Sequence, residues 1–330
     1  MRKRSFGFNA AALSCAAVLA VLLAPGVARA QTFPGKPVRL VVPWAAGGST
    51  DSIGRILGQK LAEYTGQQWV IDNRGGATGT IGHAFVAKAA PDGYTLLLGT
   101  NSTFAIAPHL YKNLQYDNER AFAPISLVAV SPQILSVHPS LPVKSVKELM
   151  ALARSKPGAI PFSTAGVGAT SHMATELLMN MARIQMTHVP YKGGGPSAQA
   201  LISGETALSF VDVITALPQA QAGRLRPVAT STSKRTALMP ELPTIAESGL
   251  PGFESATSFG MFAPAGTAHD IIGRVNRELV RALTAADVKD KLRAQGIDPA
   301  GTAPEELVAH QKREIAKWGK VIREQGIKFE

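Results

Sequence analysis

Apolar residues in this chain recur in two rhythms that alternate. The run Val38-Arg39-Leu40-Val41-Val42 is nearly unbroken and predicts a buried strand. Ile53, Ile56, Leu57 and Leu61 then recur at helical spacing and predict a helix over Ser49–Tyr64. Trp69-Val70-Ile71 reads as the next strand and Ile81–Ala89 as the next helix. Pro91-Asp92-Gly93 turns the chain into the strand Tyr94–Leu98. Unbroken apolar strands separated by helices predict a parallel sheet covered on both faces. The loop Gly99–Thr103 follows, with a short helical piece that ends at Pro108.

Phe122–Val137 breaks this rhythm. Two apolar stretches, Ile125–Val130 and Ile134–Val137, are joined through Ser131-Pro132-Gln133 with no helix between them, which predicts a crossing from one lobe to another. A second series then begins. Ser145 caps a helix that runs through Lys156, Pro157-Gly158 ends it, and Ile160-Pro161-Phe162 forms a short strand. The small-residue loop Ser163–His172 opens another helix. Met186–Val189, Ala207–Val211 and Pro227–Thr230 read as strands, with helices Ser197–Ile202 and Ile214–Ala222 between them. Within the proline- and glycine-punctuated stretch Glu241–Gly266, the run Phe259–Ala263 predicts the return crossing. Helices Ile271–Leu283, Asp287–Gln295 and Pro304–Glu324 finish the chain. The expected division is residues 31–131 with 256–330 in lobe one and 132–255 in lobe two. About 300 residues also exceed what one core comfortably holds.

Composition changes this picture at the start of the chain. Arg2-Lys3-Arg4, the apolar stretch Ala10–Leu23 and Ala28-Arg29-Ala30 have the three parts of a secretory signal peptide, residues 1–30, cleaved after Ala30. The expected location is therefore periplasmic. Cys15 is the only cysteine and leaves with that segment, so the mature chain has no disulfide, thiol nucleophile or thiolate metal site. Removing four basic residues and no acidic ones lowers the formal charge from +11 to +7. That excess is spread thinly with no Lys/Arg block. It favours acidic small molecules by long-range attraction and does not resemble a nucleic-acid footprint.

The stretch Trp44-Ala45-Ala46-Gly47-Gly48-Ser49-Thr50-Asp51 lies between the first strand and the first helix. Gly47 and Gly48 allow a sharp turn, and Ser49, Thr50 or Asp51 can cap the helix. Such a start is either a capped turn without a ligand or an anion site, since its free N–H groups favour a carboxylate or phosphate. Catalytic patterns are scarce. There is no G-x-S-x-G and no H-E-x-x-H; Ser231-Thr232-Ser233-Lys234 matches S-x-x-K in a polar loop without a second motif. His172 and Glu176 stand four apart on a helix; with no third ligand near them, packing or a hydrogen bond at the helix start outweighs a metal site. Neither Gly47-Gly48 nor Lys192-Gly193-Gly194-Gly195 has nucleotide-binding spacing. What remains are βα turns rich in glycine and hydroxyl residues in two lobes, suited to holding a small anion. No cofactor, metal or catalytic residue is expected.

Residues Lys36–Asp51, Asn73–Gly79, Pro91–Leu97, His188–Gly193, Leu242–Gly249 and Ala263–Thr267 resemble, in order, the substrate-binding proteins of tripartite tricarboxylate transporters, the Bug family. The resemblance implies an α/β, type II periplasmic binding protein fold: two αβ lobes joined by crossing strands, with the ligand cleft between them. It implies a monomeric receptor that takes a small organic carboxylate to a membrane permease; a ligand-sensing receptor would use the same cleft. A secreted hydrolase would need a nucleophile or metal set that the sequence does not display. Carried over residue by residue, the ligand loops are Trp44 to Asp51 and Thr164 to His172, with Thr164, Ala165, Gly166, Gly168, Ala169, Thr170 and His172 as the expected contacts in the second. Asn101, Ser102, Thr103, Tyr191 and Asp212 match positions that face the cleft. Trp44 replaces the family's usual phenylalanine, Val167 and Ala169 stand where Asn and Ser are frequent, and Thr78 stands where glycine is usual.

Overall fold

The computed structural model describes residues 33–325 and 327; the expected signal peptide lies outside the described residues. β1 (Val38–Val42) leads into α1 (Ser49–Thr65), then β2 (Trp69–Asn73), α2 (Thr80–Ala87) and β3 (Thr95–Thr100). β2 and β3 flank β1, both parallel to it. Strand side chains alternate between faces, and the core follows that alternation. Val38, Leu40 and Val42 pack with Ile53, Leu57 and Leu61 of α1 on one face, whereas Val41 and Leu97 pack with Phe104 and Trp318 on the other. The sheet is thus covered on both sides, as its apolar runs predict.

Sequence and structure differ after β3. The expected loop at Gly99–Thr103 is shorter: β3 continues through Thr100 and a π-helical turn occupies Ser102–Ile106. α3 (Ala107–Leu110) runs past Pro108 rather than ending there, because a proline in the first turn has no intrahelical N–H bond to lose.

β4 (Phe122–Val137) is a single 16-residue strand that runs through Ser131-Pro132-Gln133 and takes in both apolar stretches. Beyond it lie α4 (Val146–Ser155), β5 (Pro161–Thr164), α5 (Thr170–Ala182), β6 (Thr187–Pro190), α6 (Gly194–Ile202), β7 (Leu208–Asp212), α7 (Val213–Gln221) and β8 (Arg226–Thr230). Ser145 caps α4 as expected, its hydroxyl accepting from the Glu148 N–H at 3.2 Å. The chain returns through β9 (Ala256–Pro264), then α8 (His269–Thr284), α9 (Ala286–Arg293), the short β10 (Asp298–Pro299), which periodicity did not reveal, and α10 (Pro304–Gln325).

β4 belongs to both sheets. Phe122–Pro132 pairs antiparallel with β9, while Gln133–Val137 pairs with β7 on one side and Ile134–Val137 with β8 on the other. In the second sheet β5 lies parallel to β6 and β7. Leu135 and Val137 face a core with Phe162, Leu178 and Phe253; Ile134 faces Leu201, Val213 and Leu225. Met173, at the start of α5, packs instead with Val41, Phe104 and Trp318, so the second lobe is seated on the first beside the crossing strands.

Trp318 is fully buried, and its Nε1 donates to Glu314 Oε2 at 2.9 Å; the same oxygen accepts from Asn101 Nδ2 at 2.8 Å. Trp318→Ala should therefore cost about 3–5 kcal/mol through the lost burial and the cavity left behind. A urea midpoint unchanged from the parent protein would contradict this packing.

A cleft between the lobes lined by helix starts

The turn after β1 is built by its glycines and by Asp51. Gly47 has φ +87°, the left-handed region that an L side chain enters only with strain. Gly48, at φ −89° and ψ 174°, is the N-cap of α1 and provides no side-chain cap. Asp51 does not cap the helix in the usual way. Its Oδ2 accepts the Gly47 N–H at 3.0 Å and the Arg55 Nε–H at 3.0 Å, so it braces the turn from within the first helical turn. Burial would raise the Asp51 carboxyl, but the hydrogen bonds from Arg55 and Gly47 hold it below its ordinary value. The first-turn amides of α1 have no intrahelical acceptor, and no side chain caps them. Gly48, Ser49 and Thr50 line a cleft of about 840 Å³, part of it open to solvent.

The loop before α5 has a similar composition and a different hydrogen-bond state. The Ala165 N–H donates to Ser171 Oγ (3.0 Å), Gly166 to Thr164 Oγ1 (3.3 Å) and Gly168 to His172 Nδ1 (3.1 Å). Ala169 donates to the Gly166 carbonyl (3.1 Å) and Thr170 to Ser102 Oγ (3.0 Å). Because Gly168 donates to Nδ1 of His172, that nitrogen is the acceptor and Nε2 carries the proton toward Glu176 Oε1 at 3.3 Å. The His172 ring stacks on His188 at 4.1 Å between centroids, and burial, with His172 second, pushes the His188 imidazole down to about 3. His172 is thus a packing and loop-bracing residue in this arrangement. Among the described residues no group of His, Cys, Asp and Glu is placed to hold a metal ion.

A third segment completes the cleft. Gly193, Gly194, Gly195, Pro196 and Ser197, at the start of α6, line it. Gly193 is at φ +118° and leaves α6 without a side-chain cap. A methyl group at Gly194 or Gly195 would meet nothing within 4 Å, so packing does not require glycine there; its absence of a side chain keeps the cleft open. Across the opening, Ser49 Oγ donates to Asp212 Oδ2 at 2.7 Å, and Thr78 Oγ1 donates to the Val167 carbonyl at 2.6 Å.

Two lobes joined by the shared strand β4, with the starts of α1 and α6 lining the gap, describe a solute-binding cleft. The family model of the tripartite tricarboxylate transporter family receptor matches residues 53–327. The chain belongs to this family. Protein BugT of Bordetella pertussis is 35% identical over 91% of this chain and 92% of its own length. The structure of Rpa4515 from R. palustris with adipate is 38% identical, with a TM-score of 0.87 over 90% of this chain and 99% of that one. MatC from Rhodopseudomonas palustris with bound malate is 33% identical, with a TM-score of 0.83 over 88% and 100%. The protein is thus a substrate-binding receptor with the two-lobed periplasmic binding protein fold, and not an enzyme.

Of the site residues expected from sequence, the receptor brings Trp44, Ala45, Ala46, Gly47, Gly48, Ser49, Thr50, Ser102, Ala165, Ala169, Thr170 and Asp212 to the cleft lining. Trp44 is fixed there by its Nε1–H bond to Thr100 Oγ1 at 3.2 Å. Asp51, Asn101, Thr103, Thr164, Gly166, Gly168, His172 and Tyr191 lie outside that lining. Asn101 is fully buried, donating to the Ala256 carbonyl at 2.9 Å and accepting from Thr170 Oγ1 at 3.2 Å. Thr103 donates to the Thr78 carbonyl (2.7 Å), and Thr164 Oγ1 pairs with His188 Nε2 (2.7 Å). The Tyr191 hydroxyl donates to Glu205 Oε1 at 2.6 Å, which raises its pKa to about 12. Sequence reasoning missed Gly193–Ser197, Thr100, Gln133, Ser209, Phe210, Val211, Thr215 and Thr257 in the lining, while Ser171 falls within the expected second loop. The triple glycine was the one available signal among them.

The two glycines of the first turn should respond differently to alanine. Gly47→Ala should lower stability by about 1–2 kcal/mol, the usual strain of a left-handed alanine. Gly48→Ala should cost less, since its backbone is ordinary and the nearest atom to a new methyl is the Ala45 carbonyl oxygen at 3.8 Å. Urea midpoints of the two variants in the reverse order would refute this account of the turn.

Proposed function

We propose that the receptor captures a small organic carboxylate in the cleft and delivers it to the membrane subunits of a tripartite tricarboxylate-type permease. It does so as a periplasmic monomer, exported by residues 1–30, with no cofactor and no nucleic-acid partner. Lobe one comprises residues 31–131 and 256–330, and lobe two residues 132–255. The observation that carries this reading is the pair of uncapped helix starts, α1 and α6, in one cleft whose lining holds no Lys or Arg. Amides at a helix start, with the positive end of the helix dipole behind them, favour an anion without a basic side chain. The adipate and malate named with two solved relatives are both carboxylates, which supports the same class here.

In this reading Ser49 and Thr50 offer backbone donors to one carboxylate. Gly194 and Gly195 offer donors farther along the cleft, and Trp44 forms an apolar wall. Calorimetry of the mature protein should give binding to C4–C6 dicarboxylates and at least about tenfold weaker binding to their methyl esters, or ~1.4 kcal/mol. Equal binding of acid and ester would refute the reading.

Gly195→Val places a side chain in the open cleft. Thermal unfolding of the variant without ligand should be close to that of the parent protein, because nothing lies within 4 Å of the added Cβ. Carboxylate affinity should fall by at least about tenfold. Unaltered affinity would remove the α6 start from the site.

A further inference from the structure

The lining of the cleft contains a single charged side chain, and it is an acid. Asp212 stands at the end of β7 among glycines, alanines, hydroxyl residues and the aromatic wall. It occupies the N-cap position of α7 and yet makes no side-chain cap bond there. Its carboxylate is turned across the opening, where Oδ2 accepts from Ser49 Oγ at 2.7 Å, beside the amides that start α1. Burial raises the Asp212 carboxyl, while hydrogen bonds from Ser49 and Gln133 act against that rise; no cation contributes.

Gln133 is the residue directly opposite Asp212 in the β4–β7 ladder. It is only 5% exposed and lines the cleft. Facing a carboxylate, its NH2 group is the end that can donate, which leaves Oε1 as an acceptor. Gln133 Oε1 has no hydrogen-bond partner. A buried amide oxygen without a partner and a carboxylate without a cation therefore sit together in a cleft otherwise furnished with donors. For a ligand that is only a carboxylate, this corner offers like charge and unpaired acceptors.

On the reading that the cleft holds an organic carboxylate, we infer that Asp212 and Gln133 select acids that carry a hydrogen-bond donor, a hydroxyl or an ammonium, on the carbon next to the captured carboxylate. The position follows from geometry. A carboxylate seated on the α1 amides has Ser49 at its side, and Asp212 is one hydrogen bond away from Ser49. A donor on the adjacent carbon reaches Asp212, with Gln133 Oε1 as the second acceptor. A site built to pair with such a donor rejects the analogue lacking it, because the site's own polar groups are then left unpaired.

The test compares matched acids of equal length by calorimetry: succinate, malate and aspartate as one set, and adipate, 2-hydroxyadipate and 2-aminoadipate as a second. In the set whose length fits the cleft, the hydroxyl or amino acid should bind at least tenfold more tightly than the plain diacid. Which of the two leads tells hydroxyl from ammonium. Asp212→Asn keeps the size of the side chain and an oxygen for Ser49 while removing the charge. In that variant the preference should shrink by at least tenfold, with the ammonium ligand losing most and the plain diacid losing nothing or gaining. The ranking by the unaltered protein decides the question even if the variant does not fold. A plain diacid that binds as tightly as its substituted partners overturns the inference and leaves carboxylate capture standing. Failure of every acid in both sets overturns carboxylate capture, and the inference with it.

Discussion

A helix begins with amide groups that its own backbone cannot pair, and in this receptor α1 and α6 leave those groups without a side-chain cap at the edge of the cleft. The condition propagates through the fold. For α1 and α6 to present uncapped starts to the same space, each must follow a parallel strand, because parallel strands direct their helix-bearing turns to one sheet edge. Parallel strands in turn need cover on both faces. The clusters on the two sides of the first sheet, and the matching pair on the second, supply that cover. Asp51 belongs to the same scheme. By bonding the Gly47 N–H from inside the helix, it stabilises the turn without occupying the amides beyond it.

Two such sheets must also be held at a spacing that matches a small molecule. β4 does this by remaining one strand while its partners change from β9 to β7 and β8 at Pro132–Gln133. The change falls at a proline, which has no N–H to donate to a ladder and is tolerated where the pairing is interrupted. Opposite the strands, Ser49–Asp212, Thr78–Val167 and Ser102–Thr170 link the lobes by side-chain hydrogen bonds. Thr78 is itself at φ +56°, an unfavourable conformation for a β-branched residue. Its hydroxyl, bonded at 2.6 Å to the carbonyl of the other lobe, provides what a glycine there would lack.

The fold was legible in the sequence because strand and helix periodicities are local properties. The buried face of β1 and the strand that passes between the sheets over Phe122–Val137 follow from the order of apolar residues, and the start of α1 at Ser49 follows from the residues after Gly47-Gly48. Local chemistry likewise made Gly47–Thr50 readable. The loop before α5 was readable only in composition. Its amides are taken by Ser171 and His172 nearby and by Ser102, which is 68 positions away. No inspection of Ser163–His172 by itself reveals that last partner. Gln133 and Thr257 lie in strands, where the sequence does not indicate which residue faces a cleft until the sheet pairing is known. The glycines at 193–195 lack nucleotide-loop spacing, and only the fold places them at an uncapped helix start beside the cleft.

The electrostatic arrangement separates attraction from discrimination. The spread positive charge of the chain acts at long range and attracts anions of any kind. On the proposed reading, backbone amides at the helix starts act at contact, yet they are the same for every carboxylate. Discrimination must then come from side chains in the lining: an indole, the apolar Phe210, Val211, Pro196 and alanines, several hydroxyls, one amide and one acid. An acid inside an anion site would be a defect if its only effect were repulsion. Its placement next to Ser49, opposite an amide oxygen with a free acceptor, makes it instead the part of the cleft that can register what a carboxylate carries besides its charge.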